Sequence, residues 1–185
     1  MANQYQRSPM AFIGGAVAAL LALTIVSGCV KRPPAYNTAT AVQKSTIMEN
    51  DPYKKTNWIN GPEFYCAPLQ MCRMFLRARV LDGGAMVFYQ MYVHDDAFKW
   101  RFYDKAHDRN GDLMNFVSLD RRTRTTNSAV KTIEIFVIDL DDAYMNRART
   151  EGLDFKVTGT RGAKIFALPP HYVQGFMSVV DAQRF

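Results

Sequence analysis

Between residues 72 and 80 basic side chains recur at alternate positions, with Phe75 taking the place of one of them. Met74, Leu76, Ala78 and Val80 fall on one side of an extended chain, and Arg73, Phe75, Arg77 and Arg79 on the other. That period of two describes a strand with one buried face and does not fit a helix, whose period is 3.6. The same grammar recurs downstream. Residues 86–94 are largely apolar or aromatic on both sides, as in an interior strand, and Asp82-Gly83-Gly84 supplies a hairpin turn into them. Phe98, Trp100 and Phe102 alternate with Lys99, Arg101 and Tyr103, which predicts a half-buried strand. Asn110-Gly111 marks a further hairpin, with residues 113–120 as the returning strand. The run 133–138 is the most hydrophobic after residue 29 and is expected to form the central strand. The aromatic content of 12 Phe, 9 Tyr and 2 Trp agrees with a pleated, half-buried surface.

Helix signals come late. Asp139 or Asp141 can cap a helix running through Ala143 and Tyr144 to Arg149, stopped by Gly152. Two short strands, 155–158 and 164–168, follow across the glycines at 159 and 162. Pro169-Pro170 then opens a helix over 171–183, with Val173, Phe176, Met177 and Val180 on one stripe. The expected fold class is α+β: a mainly antiparallel β-sheet with two C-terminal helices on one face, occupying residues 53–185. With 185 residues, 48% of them hydrophobic and 22% charged, the chain suits one folded domain plus an addition. No internal repeat is found.

The addition is N-terminal. Residues 1–9 carry one charge, Arg7, and residues 10–26 carry none, the pattern of an export signal. The stretch closes on Val26-Ser27-Gly28-Cys29, which resembles the lipobox of bacterial lipoproteins: an aliphatic residue, two small residues and the invariant Cys. Val26 stands where Leu is commonest. The resemblance covers 29 residues and implies a processing route, not a fold or an activity. By that route residues 1–28 form the signal peptide, Cys29 takes a diacylglyceryl thioether, and its freed amino group is acylated, typically with palmitate. Several acyl chains, at about 0.8 kcal/mol per buried methylene, attach the protein to a membrane permanently. Val30 rather than Asp follows the Cys, which in this class implies the outer membrane, facing the periplasm. The alternative anchor is an uncleaved transmembrane helix over 11–30, long enough at 1.5 Å per residue to cross a core of about 30 Å.

With Cys29 assigned to lipid, Cys66 and Cys72 remain as an even pair in an exported chain, and a structural disulfide is expected. Their spacing is not Cys-x-x-Cys. His94, His107 and His171 are scattered singly, so no metal site is expected. Residues 29–52 hold Pro33-Pro34 and then small polar residues with no sustained apolar period, and read as the lipidated Cys and a flexible tether. Such a segment reaches about 25 to 28 Å.

Recognisable catalytic machinery is missing from the sequence. There is no Gly-x-Ser-x-Gly elbow and no zinc-protease helix, and residues 159–164 lack P-loop spacing. Asp108-x-Asn110-x-Asp112 begins like a calcium loop, but Gly111 is misplaced and no Glu closes it. Asp139, Asp141 and Asp142 at a strand end are better helix caps than acid–base groups. The most informative surface signal is basic. Arg73, Arg77 and Arg79, with Arg121, Arg122 and Arg124, are candidates for binding an anion or a partner, against the alternative of a solvated face. With 23 basic and 17 acidic side chains the net charge is +6, yet export and the lack of a binding module argue against nucleic acid. The expectation is a non-enzymatic, cofactor-free, lipid-anchored envelope protein that docks onto another envelope protein or membrane machine. The second reading is an envelope enzyme or small-ligand binder built on Asp139, Asp141 and His171.

Overall fold

Antiparallel pairing organises the chain wherever its structure is described. A computed structural model describes residues 36–66, 71–81, 85–126 and 129–183, leaving aside the side chains of Met86 and Val87. Among these residues, helix α1 (Ala39–Ser45) is followed by β1 (Ile47–Asp51), β2 (Thr56–Asn60), β3 (Phe64–Cys66), β4 (Cys72–Leu81), β5 (Met86–Ala97), β6 (Tyr103–His107), β7 (Leu113–Met114), β8 (Phe116–Thr125) and β9 (Val130–Leu140). Helix α2 (Asp142–Glu151), β10 (Leu153–Gly159), β11 (Gly162–Leu168) and α3 (Pro170–Asp181) complete it. The fold is α+β and mainly antiparallel sheet, with two of the three described helices near the C-terminus.

The strands make two sheets rather than the one expected. The larger runs β1-β2-β4-β5-β9-β8, and β3 pairs with β4 beyond the end of β2. Between them Gly61 N–H donates to Leu76 C=O at 2.8 Å, so that edge of β4 is followed by two strands in succession. The smaller sheet runs β11-β10-β6-β7. An aromatic cluster joins the two: the Phe136 ring of β9 lies 5.4 Å from Tyr103 on β6 and 5.5 Å from Phe166 on β11. The alternation in β4 behaves as read, with Met74, Leu76, Ala78 and Val80 buried and the arginine side half-buried. The run 133–138 is buried along both faces, as expected, but β9 lies one strand in from the β8 edge instead of at the centre.

Asp141 caps α2, accepting from Tyr144 N–H at 2.7 Å, and Gly152 ends it at φ +80°. The stripe on α3 is wholly buried, and Tyr172 O–H donates to Pro62 C=O at 2.5 Å.

Three segments depart from the sequence reading. The stretch expected to be tether as far as residue 52 is ordered by tertiary contact from α1 onward. Thr38 caps α1, Val42 is fully buried, and the helix packs on α3 where Gly175 lacks a side chain; a Cβ there would lie 2.3 Å from Ala39 C=O. Strand β1 pairs with β2 along its whole length. Residues 113–120 are not one strand: Leu113 and Met114 pair with β6 in the smaller sheet, and the chain crosses at Asn115 into β8 of the larger one. Residues 98–102 are not a strand at all, for the reason given below. The 108–112 turn is a hairpin, with Gly111 at φ +91° and Asp108 accepting from the Asn110 and Asp112 amides, each at 2.9 Å.

Candidate functional site

The disulfide links β3 to β4 at a direct register pair, Cys66 opposite Cys72, with Cα atoms 5.0 Å apart. The expected bond is present. On the next outward position of β4, Arg73 places Nη2 3.0 Å from His94 Nδ1 and Nε 3.4 Å from Glu63 Oε1. A guanidinium can only donate, so Nδ1 accepts and the imidazole proton sits on Nε2, 2.7 Å from Asp96 Oδ1. Burial first, and the Arg73 charge second, push the His94 pKa below its ordinary value. Arg124 completes the chain at 2.8 Å from Asp96 Oδ2.

Arg77 lies between aromatics, its guanidinium carbon 4.8 Å from the Trp58 ring centre and 5.4 Å from that of Tyr92. Its Nε donates to Gln90 Oε1 at 2.8 Å, Gln90 donates to Asp139 Oδ1 at 2.6 Å, and Asn115 donates to Asp139 Oδ2 at 2.5 Å. Burial lowers the Arg77 pKa. Arg79 shares this face opposite Trp58 and Phe88 and makes no ion pair among the described residues. Arg121 donates to Tyr103 C=O and lies 3.6 Å from Glu134, and Arg122 pairs with Asp120 at 3.2 Å. The six arginines therefore do not form a single row. Arg73 and Arg124 meet around His94 and Asp96, Arg77 joins a polar ladder, and Arg121 turns toward the join between the sheets.

That join holds two residues that sequence alternation passes over. Asp95 and Glu134 are register partners on β5 and β9, 1% and 3% exposed. A buried carboxylate needs a full set of donors. Asp95 receives Arg101 Nη1 at 3.0 Å, the Tyr103 hydroxyl at 3.0 Å and Lys164 Nζ at 2.5 Å. Glu134 receives the backbone amides of Arg101 and Tyr103 at 2.9 and 3.0 Å. Burial, and then the Asp95 charge, raise the Tyr103 pKa, so the phenol keeps the proton it donates. The available signal was an acidic residue at an inward position: Asp95 two after buried Val93, and Glu134 inside the most hydrophobic run.

Glu134 also explains why residues 98–102 leave the sheet. The Arg101 amide within the segment and the Tyr103 amide just after it are both spent on this carboxylate, and Arg101 C=O accepts from the Arg161 amide at 3.1 Å. Phe102 takes φ +54°, a conformation uncommon outside glycine. Gly159 allows the approach, since a Cβ there would lie 2.3 Å from Phe102 C=O. The displaced segment walls a cavity of about 550 Å³ with Phe98, Lys99, Trp100 and Arg101, opposite the disulfide, Arg161 and Lys164. This cavity has a shape and charge that can hold a ligand.

Asp139 and Asp141 line a second cleft, of about 490 Å³, with Asp108, Tyr144 and Arg147. His171 is not brought to them; its Nε2 lies 2.9 Å from Tyr36 C=O, fastening the segment before α1.

No family model, curated protein or solved structure matches this chain. Among the described residues no helix is long and apolar enough to cross a membrane, and no group of three or more His, Cys, Asp or Glu is placed to hold a metal ion. Cys29, the signal segment 1–28 and the alternative span 11–30 lie outside the described residues, as do residues 82–84 of the β4–β5 hairpin turn.

Proposed function

We propose that this is a non-enzymatic envelope lipoprotein, anchored through Cys29 and facing the periplasm from the outer membrane, whose folded body docks onto another envelope protein. The observation that carries the reading is the Ser27-Gly28-Cys29 close of an uncharged segment. The folded body supports it in two ways. The side chains a catalytic reading would use are spent on the scaffold: Asp141 caps α2, Asp139 holds Gln90 and Asn115, and His171 holds Tyr36. Among the described residues β1 and β8 end the larger sheet with no further strand paired to them, and Ile47 and Met48 on β1 and Val117 and Leu119 on β8 are exposed, a template for strand addition by a partner.

Mass spectrometry of the N-terminus from membranes tests the anchor. A triacylated Cys29 is expected, with Cys29→Ser left unlipidated and uncleaved; an intact 11–30 segment in the wild type would replace the lipoprotein with a membrane span. Crosslinking in intact envelopes tests docking, and recovery of the protein free of any envelope partner would reject it.

A further inference from the structure

The cavity beside the disulfide carries more positive charge than the protein balances. Four cations line it: Lys99, Arg101, Arg161 and Lys164. Arg101 and Lys164 share one carboxylate, Asp95, which lies behind them and is 1% exposed. The lining acid, Asp96, is occupied by Arg124 at 2.8 Å and His94 at 2.7 Å. Lys99 and Arg161 have no ion-pair partner among the described residues. Arg161 is nonetheless held, with its guanidinium carbon 5.1 Å from the Phe102 ring centre.

The rest of the wall is apolar. Trp100 stacks on Phe102 at 5.6 Å, Phe98 stands 59% exposed at the rim, and Met71, Ala97 and the disulfide complete the surface. The backbone is bent to make this wall. Were 98–102 a strand, as its alternation suggests, Lys99 and Arg101 would point away from Trp100; the buried Glu134, the positive φ of Phe102 and the bare Gly159 together bring all three to one cavity. Strain of this kind is commonly retained where a site requires it.

We propose that this cavity binds a phosphate monoester carried on an aromatic or aliphatic body. A dianion answers the charge left over on Lys99, Arg161 and the shared Arg101–Lys164 pair better than a single carboxylate does, and arginine matches phosphate oxygens in pairs. The aromatic wall takes the body, and the volume of about 550 Å³ suits a small ligand. The ester can come from a soluble molecule or from a lipid headgroup. The site does not depend on the lipid anchor.

The chain has two tryptophans, so the full-length protein with Trp58→Phe, held in phosphatidylcholine nanodiscs, reports from Trp100 alone. Phenyl phosphate is expected to change its fluorescence saturably, to be competed by inorganic phosphate, and to bind about tenfold or more weakly to a Lys99→Gln/Arg161→Gln variant. Both substitutions leave the Asp95 pairs intact, and circular dichroism checks the fold; if the variant is unfolded, competition by inorganic phosphate in the parent protein decides. Benzyl alcohol or benzoate binding as tightly as phenyl phosphate would overturn the proposal, as would an undiminished response in the folded variant or no saturable response. Nanodiscs containing phosphatidic acid assign the source: prior saturation of Trp100 upholds the site as one for a lipid headgroup, and retained binding of phenyl phosphate upholds it as one for a soluble ester.

Discussion

Asp95 and Glu134 stand directly opposite each other on β5 and β9, two buried carboxylates that draw on separate sets of donors. Asp95 takes side chains from both elements of the smaller sheet that face it, Tyr103 of β6 and Lys164 of β11, whereas Glu134 takes backbone amides. One carboxylate therefore joins the two sheets, and the other shapes the segment between them.

Removing either should leave buried donors without an acceptor. Asp95→Ala strands the buried Tyr103 hydroxyl while Arg101 and Lys164, 32% and 28% exposed, can turn to water, and is expected to cost about 1 to 3 kcal/mol, read as a lower urea midpoint. Glu134→Ala should in addition speed hydrogen exchange at the Arg101 and Tyr103 amides; unchanged exchange there would mean the segment is held by something else.

Gly175→Ala should separate α1 from α3, since its Cβ would lie 2.3 Å from Ala39 C=O and 2.7 Å from Val42 Cβ. The expected result is new proteolysis within residues 36–51 and a loss of about 1 to 3 kcal/mol. Resistance equal to the wild type would show that α1 shifts without cost.

The arginines should divide by burial. Arg77→Gln loses two aromatic contacts and the bond to Gln90, and is expected to lower stability by about 1 to 2 kcal/mol. Arg79→Gln, with no ion pair to lose, should stay within about 0.5 kcal/mol. Thermal melts of the two single variants check the contrast.

His94 gives stability a slope with pH. Its folded pKa is depressed by burial, by Arg73 and by Arg122, against an opposing pull from Asp96, and the unfolded imidazole titrates near about 6.5. Below that value the unfolded chain takes up a proton that the native chain resists, so this contribution is complete above about 6.5 and is lost as pH falls. The drop in melting temperature from pH about 7.5 to about 5.5 should be smaller in His94→Asn, which can still accept from Arg73; an equal drop would assign the slope to other groups.

Reduction of the Cys66–Cys72 bond returns only a little chain entropy to the unfolded state, because the two residues are only 6 apart. A loss of about 2 kcal/mol without unfolding is expected, followed by denaturant titration with and without reductant.

Sequence alone determined the features that are local in the chain. The face of β4 that is buried, the Asp141 cap and Gly152 stop of α2, the β10–β11 hairpin and the stripe of α3 all follow from side-chain period or from residues within four positions, so no distant partner was needed to read them. Tertiary structure decided whatever depended on a distant partner. The segment 38–51 has no apolar period of its own and is ordered because α3 offers Gly175 and β2 offers a free edge. The alternation over 98–102 was a true signal for strand, overruled by one buried carboxylate 33 positions away that captured the Arg101 amide. The second sheet, and the cationic cavity it helps to wall, exist because β6 pairs with the distant β10, which in turn holds β11, and no local period in either segment says which strand it will meet.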